Sequence, residues 1–199
     1  MRVKFAAVIV LIAMVALFIT NGTSLIAKRG ANIMSLPSLP MPIAKEYALI
    51  TSAGQSTDAY IINDIANKLM IHNFFMPQAK DSDLEGVNTL VFVVGYSNLG
   101  EKLHGINYED EKKRIKALID KAKDDKLIVM TVYIGGKQQR NNKTDELLSI
   151  IAPETDYLIG AKAANHDGFL TDLAKNHRIP LTLVNGVNDL SEPFASAFR

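Results

Sequence analysis

The chain has 199 residues, room for one domain and an appendage but not for two full cores. Hydrophobic residues make up 48% and charged residues 22%, which excludes a disordered chain, and a formal net charge of +1 gives no global pull toward nucleic acid. Cysteine is absent, so disulfides, thiolate metal ligands and cysteine nucleophiles are excluded and the core must hold the fold unaided.

Arg2 and Lys4 precede an uninterrupted apolar run from Phe5 to Ile19, and Asn21-Gly22-Thr23-Ser24 follows it. A basic start, a short apolar stretch and a small polar patch predict a secretory signal peptide or an uncleaved signal anchor over residues 1–27. The run falls short of the roughly 20 residues that span a bilayer comfortably. Either way the rest of the chain is expected outside the cytoplasm, secreted or membrane-anchored through this segment. Residues 28–43, with Pro37, Pro40 and Pro42 close together, read as a proline-rich spacer. The folded domain is expected over residues 44–199.

From Tyr47 the chain alternates between apolar runs and helical patterns. Tyr47–Thr51 reads as a strand, followed by a helix carrying Ile62, Ile65, Ala66 and Leu69 behind a Ser56 or Thr57 cap. Asn73–Met76 is a short second strand. Leu90–Val94 is apolar at every position, so both faces of that strand must be covered. Gly95 to Gly105 reads as a long glycine-punctuated loop. The helix from Tyr108 to Asp125 has Ile115, Leu118, Ile119 and Ala122 on one stripe, with Asn107 at its start. Its charged residues, Glu109 to Glu111 and Lys112 to Arg114, read as a solvated face.

Leu127–Ile134 is the next strand, and Thr144 is placed to cap a helix holding Leu147, Leu148, Ile150 and Ile151. Tyr157–Ile159 follows as a strand, then a helix with Phe169, Leu170, Leu173 and Ala174 capped by Asn165 or Asp167. Leu181–Val184 makes the last strand, and Ser191 starts a terminal helix bearing Phe194 and Phe198. The alternation predicts an α/β fold: a doubly wound, mostly parallel sheet of five to six strands in three layers, Rossmann-like or flavodoxin-like. The expected order is 2-1-3-4-5, extended by one strand.

In such a sheet ligands bind beyond the carboxyl ends of the strands, where strand order reverses. The loops reaching that point offer Gln55 and Ser56 after the first strand, Tyr96, Ser97 and Asn98 after the third, and Gly135, Gly136 and Arg140 after the fourth. Backbone donors at the helix start after Ser56 and the forked guanidinium of Arg140 suit a carboxylate or phosphate. The first loop has one glycine and no following Gly-Lys-Ser/Thr, so it is neither a dinucleotide fingerprint nor a P-loop, and no cofactor is expected. His72, His104 and His177 lack metal-ligand spacing, and no metal site is expected. His166 beside Asp167 is the candidate for a general base, though capping is the commoner use of such residues.

Several stretches resemble a family of exported prokaryotic proteins defined only as a domain of unknown function. They are Leu49–Ser56, Val94–Ser97 with Gly100 and Gly105, Ile134–Gly136 with Arg140, Asp156–Ile159, Asp167-Gly168 and Ile179–Thr182. The resemblance implies a secreted or anchored α/β protein and carries no activity with it. The chain departs from the family pattern, which has a lysine near Asn98 and two adjacent arginines where Gln139-Arg140 stand here.

These observations lead to an expected extracytoplasmic binding module for a small polar or anionic ligand. The alternatives are a hydrolase or transferase using His166 or Asp167 at the same cleft, and a non-catalytic envelope scaffold that makes contacts through its terminal helix.

Overall fold

Six strands form one all-parallel sheet in the computed structural model, which describes residues 37–199. The signal segment and the first part of the spacer lie outside the described residues. The strands are β1 (Ala48–Ala53), β2 (Asn73–Phe75), β3 (Thr89–Val94), β4 (Ile128–Tyr133), β5 (Tyr157–Ala161) and β6 (Leu181–Val184). Their order is β2-β1-β3-β4-β5-β6, the expected 2-1-3-4-5 arrangement with one strand added at the far edge. Register follows the apolar runs: Leu49 lies beside Leu90, and Leu90 beside Val129.

Alternate side chains of the central strand enter two separate cores, as the period of two requires. Leu90, Phe92 and Val94 join Leu49, Val129 and Leu158 under three helices, α3 (Tyr108–Asp124), α4 (Asn142–Ile151) and α5 (Phe169–His177). Val91 and Val93 face the other way, toward Ile62 of α1 (Asp58–Lys68) and Phe194 of α6 (Ser191–Ser196). Phe194 is 1% exposed, with the half-buried Phe198 ring tilted against it at 5.5 Å, so the terminal helix packs into the core through Phe194.

Packing reaches back into the proline-rich stretch. Leu39 is buried and donates its backbone N–H to Ser196 Oγ at 3.0 Å, while Ile43 and Ala44 donate to the carbonyl of Ala197. This part of the spacer is laid onto α6.

Two local readings change. Gly95 to Gly105 is not a loop throughout, because Asn98–His104 forms a two-turn helix, α2. Ser97 caps it by accepting from Gly100 N, and Gly105 ends it in the left-handed conformation at φ 67°. The stretch reads as a loop because it has a mid-helix glycine and no apolar stripe for the core. The helix over Asn142–Ile151 begins earlier than Thr144 predicts, since Asn141 is the cap and accepts from Thr144 N at 3.0 Å. That leaves the buried Thr144 hydroxyl to accept from Tyr96 N at 3.1 Å, tying α4 to the loop after β3.

Candidate functional site

The strand order reverses between β1 and β3, and their carboxyl ends are joined there beyond the regular ladder. Gly95 N donates to Ala53 O and Ser97 N to Gly54 O, both at 2.8 Å, and Gln55 pairs with Tyr96 in an isolated antiparallel bridge. Gly54 adopts φ 106°, and a Cβ there would lie 2.6 Å from Gly95 O, so two backbones meet where a side chain would stand. Gln55, which has a Cβ, nevertheless sits in the left-handed region at φ 66° with 5% exposure. Such a conformation in a non-glycine residue persists when the surroundings over-determine it.

The surroundings are a chain of charge-assisted hydrogen bonds. Glu111 on α3, 2% exposed, accepts from Gly54 N at 2.9 Å and from Gln55 Nε2 at 2.7 Å. Arg114, one turn on, donates to it through Nε at 2.9 Å and Nη2 at 2.7 Å. Arg114 also donates through Nη1 to Ala79 O at 2.8 Å and through Nη2 to the carbonyl of Ser52. Burial pushes the Glu111 carboxyl up, but the Arg114 guanidinium and the Gly54 and Gln55 donors outweigh it and hold the group below its ordinary value. At the outer end, Gln55 Oε1 lies 2.7 Å from His104 Nδ1.

Over this chain lies a cavity of about 130 Å³ bounded by the β1–α1 turn and α2. Gln55, Ser56, Ser97 and His104, with Ser52 and Thr57, supply its polar lining, and Tyr60, Leu99 and Leu103 much of its apolar wall. Leu99 and Leu103 are 67% and 73% exposed. They face the site because the core side of α2 is only Gly100, whose Cβ would fall 2.3 Å from Gln55 O. The helix is therefore held by backbone contact. A shallower groove continues past Tyr60, Pro77 and His104 to Met76, Gln78 and Asp83.

Of the residues expected at the site, Gln55, Ser56 and Ser97 line this cavity. Ser56 Oγ accepts from Asp58 N at 3.1 Å, one residue ahead of the Thr57 N-cap of α1, whose own side chain makes no capping bond. Burial raises the Asp58 carboxyl, with the Ser56 hydrogen bond opposing. Asn98 is exposed as the first residue of α2 and is not part of the lining. Tyr96 turns to the other face of the sheet. Its hydroxyl donates to Glu101 Oε2 at 2.7 Å and accepts from Lys143 Nζ at 2.9 Å, and its ring meets Tyr108 edge-on at 5.5 Å.

The β4 loop departs furthest from expectation. Arg140 was expected to offer its fork to an anion, but all five of its N–H donors are engaged. Nε and Nη2 reach Asp145 at 2.7 and 3.0 Å, Nη1 and Nη2 reach Asp167 at 2.6 and 2.7 Å, and Nη1 also reaches Ala164 O at 2.6 Å. Its guanidinium further stacks on Phe169 at 4.6 Å. Gly135 is packed on Tyr133, whose hydroxyl would lie 2.7 Å from an added Cβ, and burial pushes that tyrosine's pKa up to about 12. Gly136 donates its N–H to Gln139 Oε1 at 3.1 Å. Asp167 also accepts from Phe169 N at 3.2 Å, and Asn165 accepts from Thr171 N at 3.1 Å, so both satisfy first-turn donors of α5 while Gly168, not either of them, is its N-cap. His166 is exposed beside them and is not part of the cavity lining. Asp167 is taken up by Arg140 and the first turn of α5, and neither member of the pair lines the cavity.

One family model matches residues 45–198, that of the domain of unknown function DUF6305. The chain belongs to this family. No curated protein and no solved structure matches it.

In this DUF6305 domain the residues that brace the cavity had only one sequence signal. Glu111, Ile115, Leu118, Ile119 and Ala122 are all buried on a single stripe of α3, so an acidic side chain stands at a core position. The mixed charge around it reads as solvated, and for Glu109 and Lys113 that holds, but Glu111 and Arg114 are taken inward. Nothing in the local pattern marks His104, because its partner Gln55 is 49 residues away.

Proposed function

We propose that the chain is an extracytoplasmic binding module that holds a small polar ligand at the C-terminal edge of its sheet. The observation that carries this reading is the cavity at the strand-order reversal. Buried polar groups and a histidine face apolar side chains there, and the backbone is held in a strained, braced conformation. Concave, mostly apolar space with a few convergent polar groups is the usual form of a small-molecule site. Placement outside the cytoplasm is supported by the apolar run from Phe5 to Ile19 behind Arg2 and Lys4. Among the described residues no helix is long and apolar enough to cross a membrane.

The geometry favours a neutral polar ligand over an anion. Arg140, the cation expected to receive one, has its charge answered by two carboxylates, and Arg114 lies beneath the cavity on Glu111. The test is a fragment screen against the full chain, read by amide chemical shifts. Fragments that move Gln55, Gly100 and His104 together support the reading. A library that leaves these amides in place, or moves only residues elsewhere, refutes it.

A further inference from the structure

The chain of hydrogen bonds from Arg114 to His104 determines which imidazole nitrogen carries a proton. Glu111 is ionised among four donors, Gly54 N, Gln55 Nε2 and the Nε and Nη2 of Arg114, so it can only accept. Gln55 must therefore turn its NH₂ to Glu111 and its carbonyl oxygen to His104. A carbonyl cannot donate, so His104 Nδ1 holds the hydrogen of that 2.7 Å bond. The neutral imidazole then presents Nε2 as a lone-pair acceptor. This nitrogen lies across the ring from Nδ1, has no protein hydrogen bond among the described residues, and belongs to a side chain shared by the cavity and the adjoining groove.

We propose that His104 is the residue that recognises the ligand, Nε2 accepting a hydrogen bond from a hydroxyl or N–H group on an apolar body of about six non-hydrogen atoms, the ring size that a cavity near this volume admits. This rests on the binding-module reading and specifies its ligand class. Tyr60, Leu99 and Leu103 cover the apolar body, and Gln55 acts as the positioning residue that holds the imidazole in one tautomer. The buried ion pair behind Gln55 prevents the amide from flipping. With its two ends exchanged, the amide carbonyl would face the Glu111 carboxylate, an acceptor against an acceptor with no proton between them.

The experiment uses the full chain at mildly alkaline pH. Phenol and toluene serve as probes of matched shape, differing in the hydroxyl donor. Phenol is expected to bind roughly tenfold more tightly than toluene, the ratio of one hydrogen bond kept or lost. In His104→Phe, at an exposed position that tolerates the ring, the difference should vanish. Nitrogen-15 spectra of the free protein should show His104 in the Nδ1–H form, and phenol should shift its Nε2 resonance. Equal binding of the two probes, or an Nε2–H tautomer, overturns the role of His104 while leaving the cavity as a binding site. Failure of both probes to perturb the cavity amides overturns the binding-module reading with it.

Discussion

Glu111 and Gln55 meet at 2.7 Å across 56 positions of sequence, the carboxylate of one accepting the amide of the other. That contact joins α3 to the first loop of the sheet and fixes the loop in a left-handed conformation that glutamine rarely adopts.

Replacing Glu111 with Gln should therefore cost far more than a surface charge would. The variant leaves Arg114 in the interior without its carboxylate, a loss of roughly 3–5 kcal/mol. For a domain of this size that is roughly 6–20 °C in midpoint. The folded Glu111 carboxyl is held below its ordinary 4.5, so its stabilisation is present above that value and lost as pH falls through the folded one. Urea melts at neutral and acid pH check both points: the gap between wild type and variant should narrow in acid. Equal stability at neutral pH would remove the ion pair from the account of the fold.

Gly100→Ala tests the backbone contact under α2. The new methyl would sit 2.3 Å from the carbonyl oxygen of Gln55, so the helix must lift or the loop must move. Overpacking of this kind costs roughly 1–3 kcal/mol. Hydrogen exchange should rise in residues 98–104 while the central strands keep their protection, and an unchanged exchange map would contradict the contact.

Arg140→Ala is expected to weaken the fold and leave ligand affinity alone. The substitution strips Asp145 and Asp167 of a shared partner and costs roughly 1.5–3 kcal/mol. The Arg140 guanidinium holds the Asp167 carboxyl well below its ordinary 3.8, so its share of the effect is present above that pH and fades on acidification. Denaturant midpoints for wild type and variant would show this. Lost affinity with unchanged stability would restore Arg140 to the binding site.

Phe194→Ala should destabilise by roughly 3–5 kcal/mol, as truncation of a fully buried aromatic does. Thermal unfolding measures it, and a variant melting with wild type would return the terminal helix to the surface.

The layer order was open to reading because each layer depends on short-range pattern. Leu90–Val94 is apolar on both faces and therefore buried on both, and Ile115, Leu118 and Ala122 repeat at helical spacing, so strand and helix follow from neighbouring residues. The alternation of the two leaves few topologies for a parallel sheet, and the expected order is the one found. At the point where that order reverses, the loop residues Gln55, Ser56 and Ser97 come to line one cavity.

The partners of those residues follow from distances that sequence spacing does not carry. Arg140 has the fork an anion would want, yet Asp167, 27 residues on, occupies it. Glu111 reads as one acid among several until the 57-residue span to Gly54 closes and takes it out of water. Local pattern sets which backbone forms, because hydrogen bonds of helices and strands close over short, regular distances. Which charges are answered and which donors stay free depends on contacts made once the whole chain has closed, and that was decided by the tertiary fold.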